Sequence, residues 1–418
     1  MTRIAVVGTG ISGLTAAWLL SRRHAVTVFE ADARPGGHTH THDLSLDGHD
    51  VKVDTGFIVY NDRNYPNFTR LLEALDVSGS PTVMSFSVAN AATGLEYNGQ
   101  DLKSLFVQRR NLVSPRFLRM LADILRFNRQ APRLLSLAGP GPSLADYLVA
   151  GGFGPAFAED YLLPMAAAIW SVPTARLDSF PAKRVIEFFA NHGLLSINDR
   201  PQWYVVDGGS RTYVDRILTQ LTDVRLGCPV RSIAREEAGV RLATDAGEEH
   251  FDAVVLATHS DQALALLADP SDAEREVLGA IGFQDNTVVL HSDASVMPKL
   301  RGAWAAWNYH LKGGHLDGSG SEQVTVSYWM NRLQHIDTPT PLLVTLNQDD
   351  RIDPSKIHAR LNYAHPVFDG PAVAAQSRRH EINGVRQTWY CGAWWRYGFH
   401  EDGCASAVDV ARDFGVTL

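Results

Sequence analysis

Cysteine is scarce in this sequence, whose 418 residues include Cys228, Cys391 and Cys404 and no fourth thiol. Three scattered thiols predict neither a disulfide framework nor a metal centre, and they favour a cytoplasmic protein with reduced cysteines. No apolar run reaches the roughly 18–20 residues of a membrane span, and we expect no cleaved leader peptide. Basic residues are not in excess, since the net charge is −8. This charge argues against general nucleic-acid binding.

The sequence opens on a strand–turn–helix–strand pattern. Residues 3–8 form a short β-branched apolar run, Gly8-Thr9-Gly10-Ile11-Ser12-Gly13 follows, and a second apolar run, residues 25–29, ends at Glu30. In a dinucleotide-binding βαβ unit the glycines permit a tight turn, the approach of a pyrophosphate and close helix packing. The helix N-terminus attracts phosphates, and the acidic residue accepts hydrogen bonds from a ribose. The pattern therefore predicts a dinucleotide bound in a Rossmann-type fold.

The segments that follow resemble the flavin amine oxidase superfamily. Gly36-Gly37-His38-Thr39 stands where that superfamily carries a Gly-Gly-Arg segment along the diphosphate and ring of FAD, with His38 replacing the arginine. Further similarities lie at Val230, Ala257, Gly392 and Gly398 to Gly403. The resemblance implies non-covalent FAD, and the expected cofactor-binding residues are Gly8, Gly10, Ile11, Ser12, Gly13, Glu30, Ala31, Gly36, Gly37, His38, Thr39, Thr55, Gly56, Phe57, Ile58, Val230, Ala257, Gly392, Phe399, His400, Glu401 and Asp402.

The same resemblance implies an α/β fold with amine-oxidase-like architecture. A discontinuous Rossmann-type FAD-binding domain is expected in residues 1–80, 201–270 and 381–418. A mixed α+β substrate domain is expected in residues 81–200, predicted to be mostly helical, and in residues 271–380, predicted to contain its sheet.

A narrower resemblance concerns the substrate. The segments 54–60, 328–331 and 398–403 resemble those of a group of bacterial FAD proteins. That group is similar to the N-terminal oxidase-like domain of plant cyclopropane fatty-acid synthases. The resemblance extends more loosely to fatty-acid double-bond isomerases and desaturases. The resemblance implies an FAD-dependent oxidoreductase that desaturates or isomerises a fatty-acyl chain of a lipid. Two alternatives stay open: a flavin amine or amino-acid oxidase, and a non-catalytic flavin-binding partner of a lipid methyltransferase.

Few side chains can be assigned to the chemistry from the sequence. His400 and Glu401 lie in the segment expected at the flavin edge, where they could tune the ring or carry a proton, or could simply hold the loop. Aromatic and amide groups could line a substrate pocket or pack in the core, and the candidates are Tyr60, Asn308, Tyr328, Trp329 and Asn331.

An arginine-rich segment, residues 109–133, has Asp123 as its one acidic residue. Its arginines are Arg109, Arg110, Arg116, Arg119, Arg126, Arg129 and Arg133. Helical spacing places Phe117, Leu118, Leu121, Ile124 and Leu125 on one predicted apolar face. A basic amphipathic helix can lie in the headgroup layer of an anionic membrane, and a solvated arginine face is the alternative. A peripheral contact with the inner membrane face is therefore a hypothesis, with Arg116, Arg119, Arg126 and Arg129 as the lipid-contacting residues.

Overall fold

The computed structural model describes residues 1–139, 141–170, 177–196, 200–311 and 325–418. Its strands are β1 (Arg3–Val7), β2 (Ala25–Phe29), β3 (Thr41–Leu46), β4 (His49–Asp54), β5 (Tyr60–Asn61), β6 (Gly79–Thr82), β7 (Phe86–Asn90), β8 (Leu95–Asn98), β9 (Trp203–Val206), β10 (Val224–Arg225), β11 (Val230–Glu236), β12 (Gly239–Thr244), β13 (Gly247–Phe251), β14 (Ala253–Leu256), β15 (Phe283–His291), β16 (Trp307–Leu311), β17 (Val326–Trp329), β18 (Leu343–Leu346), β19 (Ile357–Pro366) and β20 (Thr388–Tyr390). Its helices are α1 (Ile11–Ser21), α2 (Pro66–Ala74), α3 (Leu102–Leu105), α4 (Pro115–Gln130), α5 (Leu144–Ala150), α6 (Pro155–Phe157), α7 (Leu163–Trp170), α8 (Ala182–Asn191), α9 (Arg211–Leu218), α10 (Ser260–Leu266), α11 (Asp272–Gly279), α12 (Met330–Leu333), α13 (Gly370–Ser377) and α14 (His400–Asp413).

A five-stranded parallel sheet with the order β10-β2-β1-β14-β20 forms the centre of the predicted Rossmann unit. Its strands come from three separate stretches of the chain, and β1 lies in the middle. Apolar residues alternate between the two faces of β1, so Ile4 and Val6 pack with α1 while Ala5 and Val7 pack on the other side. Both faces are covered, as a parallel sheet requires. The Rossmann-type α/β fold is therefore confirmed.

The stretch from β10 to β14 contains a three-stranded antiparallel meander. Strands β11, β12 and β13 form the meander, whereas β10 and β14 pair with the parallel sheet. These two strands therefore tie the meander to the dinucleotide-binding layer.

A second, seven-stranded sheet has the order β19-β15-β18-β17-β16-β7-β8. Its strands pair antiparallel except for β16 and β7, which pair parallel. Two of its strands, β7 and β8, come from residues 86–98, a stretch that was predicted to be mostly helical. The prediction was wrong there because alternation between the two sheet faces and a turn at Gly94 (φ +65°) make this stretch a hairpin.

The two faces of the seven-stranded sheet have different neighbours. Val326, Tyr328 and Trp307 pack in the aromatic cluster built with α7 and α8, which also contains Phe399. The next residue along β17, Trp329, points to the other face and packs in a separate cluster with Trp304. Strand alternation thus decides which side chains can face a pocket between sheet and helices.

Helix α4 buries only part of the predicted apolar face: Phe117 is buried, and Leu121 and Ile124 pack against its cluster. Phe117, Met120, Asp123 and Phe127 are its buried residues, while Leu118 and Leu125 are 43% and 56% exposed. The described residues contain no helix that is both long and apolar enough to cross a bilayer.

Candidate functional site

The fingerprint turn between β1 and α1 is shaped by its three glycines. Gly8 has a φ of +102°, and a Cβ there would lie 2.9 Å from the Ala257 carbonyl oxygen. A Cβ on Gly13 would lie 1.9 Å from the Gly8 carbonyl oxygen, so the close packing of helix on turn excludes any side chain. A Cβ on Gly10 would meet no atom within 4 Å. The backbone around Gly10 is therefore open on the side where a pyrophosphate would approach.

The helix start supplies donors at this opening. The N–H groups of Ile11, Ser12 and Gly13 belong to the first turn of α1, where no intrahelical acceptor precedes them. The positive end of the helix dipole adds to their attraction for phosphate. Ile11 and Ser12, both predicted cofactor-binding residues, lie at this opening.

Glu30 lies at the end of β2 beside the turn. Its carboxylate accepts hydrogen bonds from the Thr9 backbone N–H (2.9 Å), the Thr9 hydroxyl and the Asp32 N–H (3.0 Å). The Thr9 hydroxyl oxygen in turn accepts one from the Gly36 N–H (3.1 Å). These bonds fix the carboxylate beside the turn, where a ribose hydroxyl would have to be recognised.

The second glycine pair lies directly against the first turn. A Cβ on Gly37 would lie 3.2 Å from the Cα of Gly10. The Arg34 guanidinium holds this loop by donating to the carbonyl oxygens of Gly37 (2.7 Å) and Thr39 (2.9 Å). Sequence reasoning did not single out Arg34, although a lone arginine just before two glycines was a visible signal. Gly56 closes the other side, since a Cβ there would lie 1.9 Å from the His38 carbonyl oxygen.

The N-terminus of α14 packs against the N-terminus of α1. A Cβ on Gly403 would lie 2.7 Å from Ile11 Cγ2, so this glycine allows the close approach. The Asp402 carboxylate caps its own helix by accepting from the N–H groups of Phe399 (3.0 Å) and Tyr397 (3.2 Å). Burial raises the pKa of Asp402 to about 6.

Glu401 forms hydrogen bonds with the start of helix α2. One carboxylate oxygen accepts from the Asn67 N–H (3.1 Å) and side-chain amide (2.6 Å), and the other from the Phe68 N–H (2.9 Å). Asn67 and Phe68 belong to the first turn of α2, so Glu401 caps that helix from across the fold. Of the roles left open for Glu401, these bonds support the structural one.

His400 faces a set of aromatic side chains. Its ring stacks on Phe57 with centroids 3.6 Å apart, and its Nε2 lies 2.8 Å from the Tyr213 hydroxyl. That hydroxyl lies 2.5 Å from the Thr39 hydroxyl. His400, Phe57 and Thr39, all predicted cofactor-binding residues, are thus brought together by Tyr213, which the sequence did not point to.

His38 lies at the centre of a histidine cluster. The centroid of its ring lies 4.8 Å from that of Tyr363, 5.6 Å from that of His365 and 6.0 Å from that of His259. Burial and the neighbouring histidines lower the pKa of His38 to about 3, and burial lowers that of His365 to about 4. Burial also holds the pKa of His400 well below its usual range. These imidazoles are therefore neutral near pH 7.

Several buried histidines make stability depend on pH. Burial is the first cause in each case, and the pKa values fall to about 3 for His38 and to about 4 for His40, His192, His291, His310 and His365. Depressed histidines stabilise the fold above their unfolded pKa of about 6.5, and this stability is lost as the pH falls toward 4. The pKa values of Asp54 and Asp402, raised to about 6, act in the opposite direction over the same range.

The histidines outnumber the two aspartates, so we expect acid to destabilise the protein. The melting temperature of the holoprotein should be lower near about pH 5 than near about pH 7.5. Thermal unfolding followed by circular dichroism in buffers of equal ionic strength measures this. A melting temperature that rises or stays constant on acidification would show that these imidazoles are not held neutral.

The five predicted pocket residues do not share one site. Tyr328 faces the aromatic cluster, with its ring 5.0 Å from Trp307. Trp329 and Asn308 lie on the other face of the sheet. The Asn308 side-chain amide forms hydrogen bonds with Ser87, Ala305 and Ser327. Asn331 holds the loop 336–342 through its own amide, and Tyr60 packs in the core beside Phe68. Strand alternation and local hydrogen bonding thus leave Tyr328 as the one of the five that faces the aromatic cluster.

The described residues fit a bound flavin dinucleotide. The open backbone at Gly10, the free first-turn N–H groups of α1 and the Glu30 carboxylate match the diphosphate and ribose ends. The Nε2 atom of His38 is buried without a hydrogen-bond partner in the described protein. The other nitrogen of this neutral ring donates to the Ala364 backbone, so Nε2 is an acceptor that a ligand donor would satisfy. Together the fold and this cradle define a flavin-dependent oxidoreductase.

Comparison with known proteins specifies the class. A model of the flavin containing amine oxidoreductase family matches residues 11–361, so the chain belongs to that family. No curated protein matches the sequence significantly.

Solved structures share the fold at low identity. A CLA-producing fatty acid isomerase from P. acnes has a TM-score of 0.71 at 17% identity, covering 99% of this chain and 98% of that one. A putative protoporphyrinogen oxidase from Exiguobacterium sp. has a TM-score of 0.69 at 17% identity, again covering 99% and 98%. Cyclohexylamine oxidase from Brevibacterium oxydans has a TM-score of 0.68 at 14% identity and covers 99% of both chains. These similarities establish the amine-oxidase-like fold.

Proposed function

We propose that this protein binds FAD non-covalently and desaturates or isomerises a fatty-acyl chain of a lipid. The observation that carries the proposal is that the imidazoles around His38 and His400 are neutral, while the neighbouring cation, Arg34, donates to backbone carbonyl oxygens of its own loop. His38, His259, His365 and His400 all have lowered pKa values because they are buried. An ammonium or carboxylate substrate would need a countercharge there, since burying an unpaired ion is costly.

The nearby carboxylates are already occupied. Glu401 caps α2, Asp402 caps α14, and Glu187 of α8 accepts a hydrogen bond from the Tyr397 hydroxyl (3.2 Å). A hydrocarbon substrate needs no ionic partner and so leaves these three carboxylates in their hydrogen bonds. This arrangement supports an apolar substrate over an amine or an amino acid.

The aromatic cluster supplies a wall for such a chain. Trp307, Tyr328 and Phe399 are partly buried at its edge rather than sealed in the core. Phe399 immediately precedes His400, so the wall is continuous with the cofactor-binding segment. A bound flavin supplies a hydride acceptor at its N5, and the protein's part is to hold the acyl carbon there and exclude water.

The proposal is tested by product analysis. Holoprotein is incubated with vesicles carrying saturated, unsaturated, methyl-branched or cyclopropane acyl chains, and the lipids are then analysed by mass spectrometry. We expect one class to gain or to relocate a double bond. Unaltered lipids in every case would contradict the proposal and would favour the amine alternative or a non-catalytic partner of a lipid methyltransferase.

A matched pair of variants links the activity to the wall. Tyr328→Ala removes a ring from the sheet face that carries the cluster, whereas Trp329→Ala removes one from the opposite face. We expect the first to raise KM for the acyl substrate by about tenfold, which corresponds to the roughly 1.4 kcal/mol of one lost apolar contact. The second should leave KM unchanged, and equal effects would argue against this wall.

A further inference from the structure

The solvent-facing side of α4 is apolar as well as basic. Leu118, Ala122, Leu125 and Arg129 follow one another at spacings of four, three and four residues, so they form one stripe. Leu118 and Leu125 are 43% and 56% exposed. Leu112 and Val113, in the 3-10 turn Arg109–Val113 just before the helix, are 54% and 80% exposed. We call these four apolar residues, together with Arg109, Arg129 and Arg133, the α4 face.

Six of the seven arginines of this segment divide into two groups, and the seventh, Arg110, donates to the Gly94 carbonyl oxygen. Arg116 pairs with Asp160 (2.8 Å), and Arg119 and Arg126 pair with Asp123 (3.3 and 2.9 Å). These three, predicted above to contact lipid, are therefore paired with carboxylates of the protein itself. Arg109, Arg129 and Arg133 are exposed, and none of them pairs with a carboxylate of the described residues.

The exposed charges of the segment that carries the α4 face have one sign, and the partly exposed Glu159, outside the segment, pairs with Arg116 (3.2 Å). Between residues 102 and 139 the sequence has a single carboxylate, that of Asp123, and it is buried at 2% exposure. Every exposed charge of this stretch is therefore positive, in a chain whose net charge is −8. A protein with this distribution presents the α4 face, and not its average surface, to an anionic partner.

The inner side of α4 leads toward the candidate site. Phe117 and Met120 pack in a cluster with Tyr97. Phe86 and Tyr161 pack against that cluster and also against the aromatic cluster of Trp307 and Tyr328. Apolar side chains thus continue from beneath the α4 face to the proposed wall of the substrate site.

We propose that the α4 face docks on the surface of an anionic lipid bilayer. The exposed leucines and the valine enter the interfacial layer, where their burial is favourable, and the unpaired arginines attract anionic headgroups. A protein partner would have to match apolar and cationic groups with no exposed carboxylate between them, which is the pattern of interfacial helices. Docking here would place the apolar route described above next to the acyl chains. The binding itself does not rest on the proposed function, because it involves no turnover.

The test is sedimentation of the holoprotein with vesicles of phosphatidylcholine, with or without phosphatidylglycerol. We expect binding to the mixed vesicles only, weakened by salt. The triple variant Arg109→Gln, Arg129→Gln, Arg133→Gln should bind on the order of a hundredfold more weakly, at about 1 kcal/mol for each arginine. Leu118→Ser with Leu125→Ser should also weaken binding. The charge-matched control Arg70→Gln, Arg216→Gln, Arg275→Gln replaces exposed arginines elsewhere and should bind as the wild type.

Three outcomes would overturn the proposal. Wild-type protein could fail to sediment with phosphatidylglycerol vesicles, or the triple variant and its control could bind equally. A concentration-dependent dimer that Leu118→Ser with Leu125→Ser abolishes would instead make the α4 face a contact between two copies of this chain. Flavin content and circular dichroism show that each variant is folded, so a misfolded variant is not counted.

Discussion

Gly10→Ala is expected to leave the fold intact while lowering FAD affinity at least about tenfold, and Gly13→Ala is expected to disrupt both. The two positions lie in the same turn and differ in what a methyl group meets. At Gly10 the φ of −62° suits any residue and no atom lies within 4 Å, so the added Cβ projects into the space left for a pyrophosphate. At Gly13 the Cβ would lie 1.9 Å from the Gly8 carbonyl oxygen. That overlap must move the helix away from the turn, which should cost more than the roughly 1–3 kcal/mol of ordinary overpacking.

The pair is compared by FAD titration and by thermal unfolding of the apoproteins. The Gly10→Ala apoprotein should melt with the wild type and bind FAD weakly. The Gly13→Ala apoprotein should melt well below it or fail to fold. Undiminished FAD affinity in Gly10→Ala would place the diphosphate somewhere other than this turn.

Arg235→Ala is expected to destabilise the protein by about 3–5 kcal/mol, because it leaves a buried charge without its partner. The Arg235 side chain, on β11, is fully buried and donates to Glu274 (2.7 and 3.0 Å) and to the Asp269 carboxylate (2.7 Å). Glu274, on α11, also accepts from the Tyr390 hydroxyl of β20 (2.5 Å). Burial alone would raise the pKa of Glu274, but the hydrogen bonds from Arg235 and Tyr390 lower it to about 2. The network therefore ties the meander to the parallel sheet.

Arg241→Ala is the matched control on the neighbouring strand. Arg241 pairs with Glu236 and Glu248 at 2.8 and 2.7 Å, but its side chain is 35% exposed. Solvent screens such a pair, so its loss should cost at most about 1 kcal/mol. Urea denaturation measures both free energies of unfolding. Similar losses for the two variants would mean that the Arg235 network is not sealed from water.

The first forty residues carried most of what the sequence could predict. The turn, its helix and the two strands are contiguous, so their spacing is visible without tertiary information. The histidine cluster was not visible in the same way. His38, His259 and His365 lie hundreds of residues apart along the chain, and only the folded arrangement of β14, β19 and the Gly36–Gly37 loop brings their rings together.

Two local patterns each had two structural solutions. Glu401 follows a histidine at a helix start, a place that suits proton transfer or capping, and its partners at Asn67 and Phe68 lie more than three hundred residues away. In α4, apolar residues occupy two helical faces. Periodicity placed Leu118 and Leu125 on the same apolar face as Phe117, whereas packing buries Met120 and Phe127 and leaves these two leucines exposed.

We propose that a flavin held in this cradle acts on an acyl chain. The most direct test is the visible absorption of the holoprotein under anaerobic conditions, titrated in parallel with phospholipid vesicles and with primary amines, followed by analysis of both. We expect a chemically changed acyl chain, either with bleaching of the flavin band or with a relocated double bond and no net bleaching, and we expect no response to amines. Bleaching by an amine with unaltered lipid would contradict this proposal.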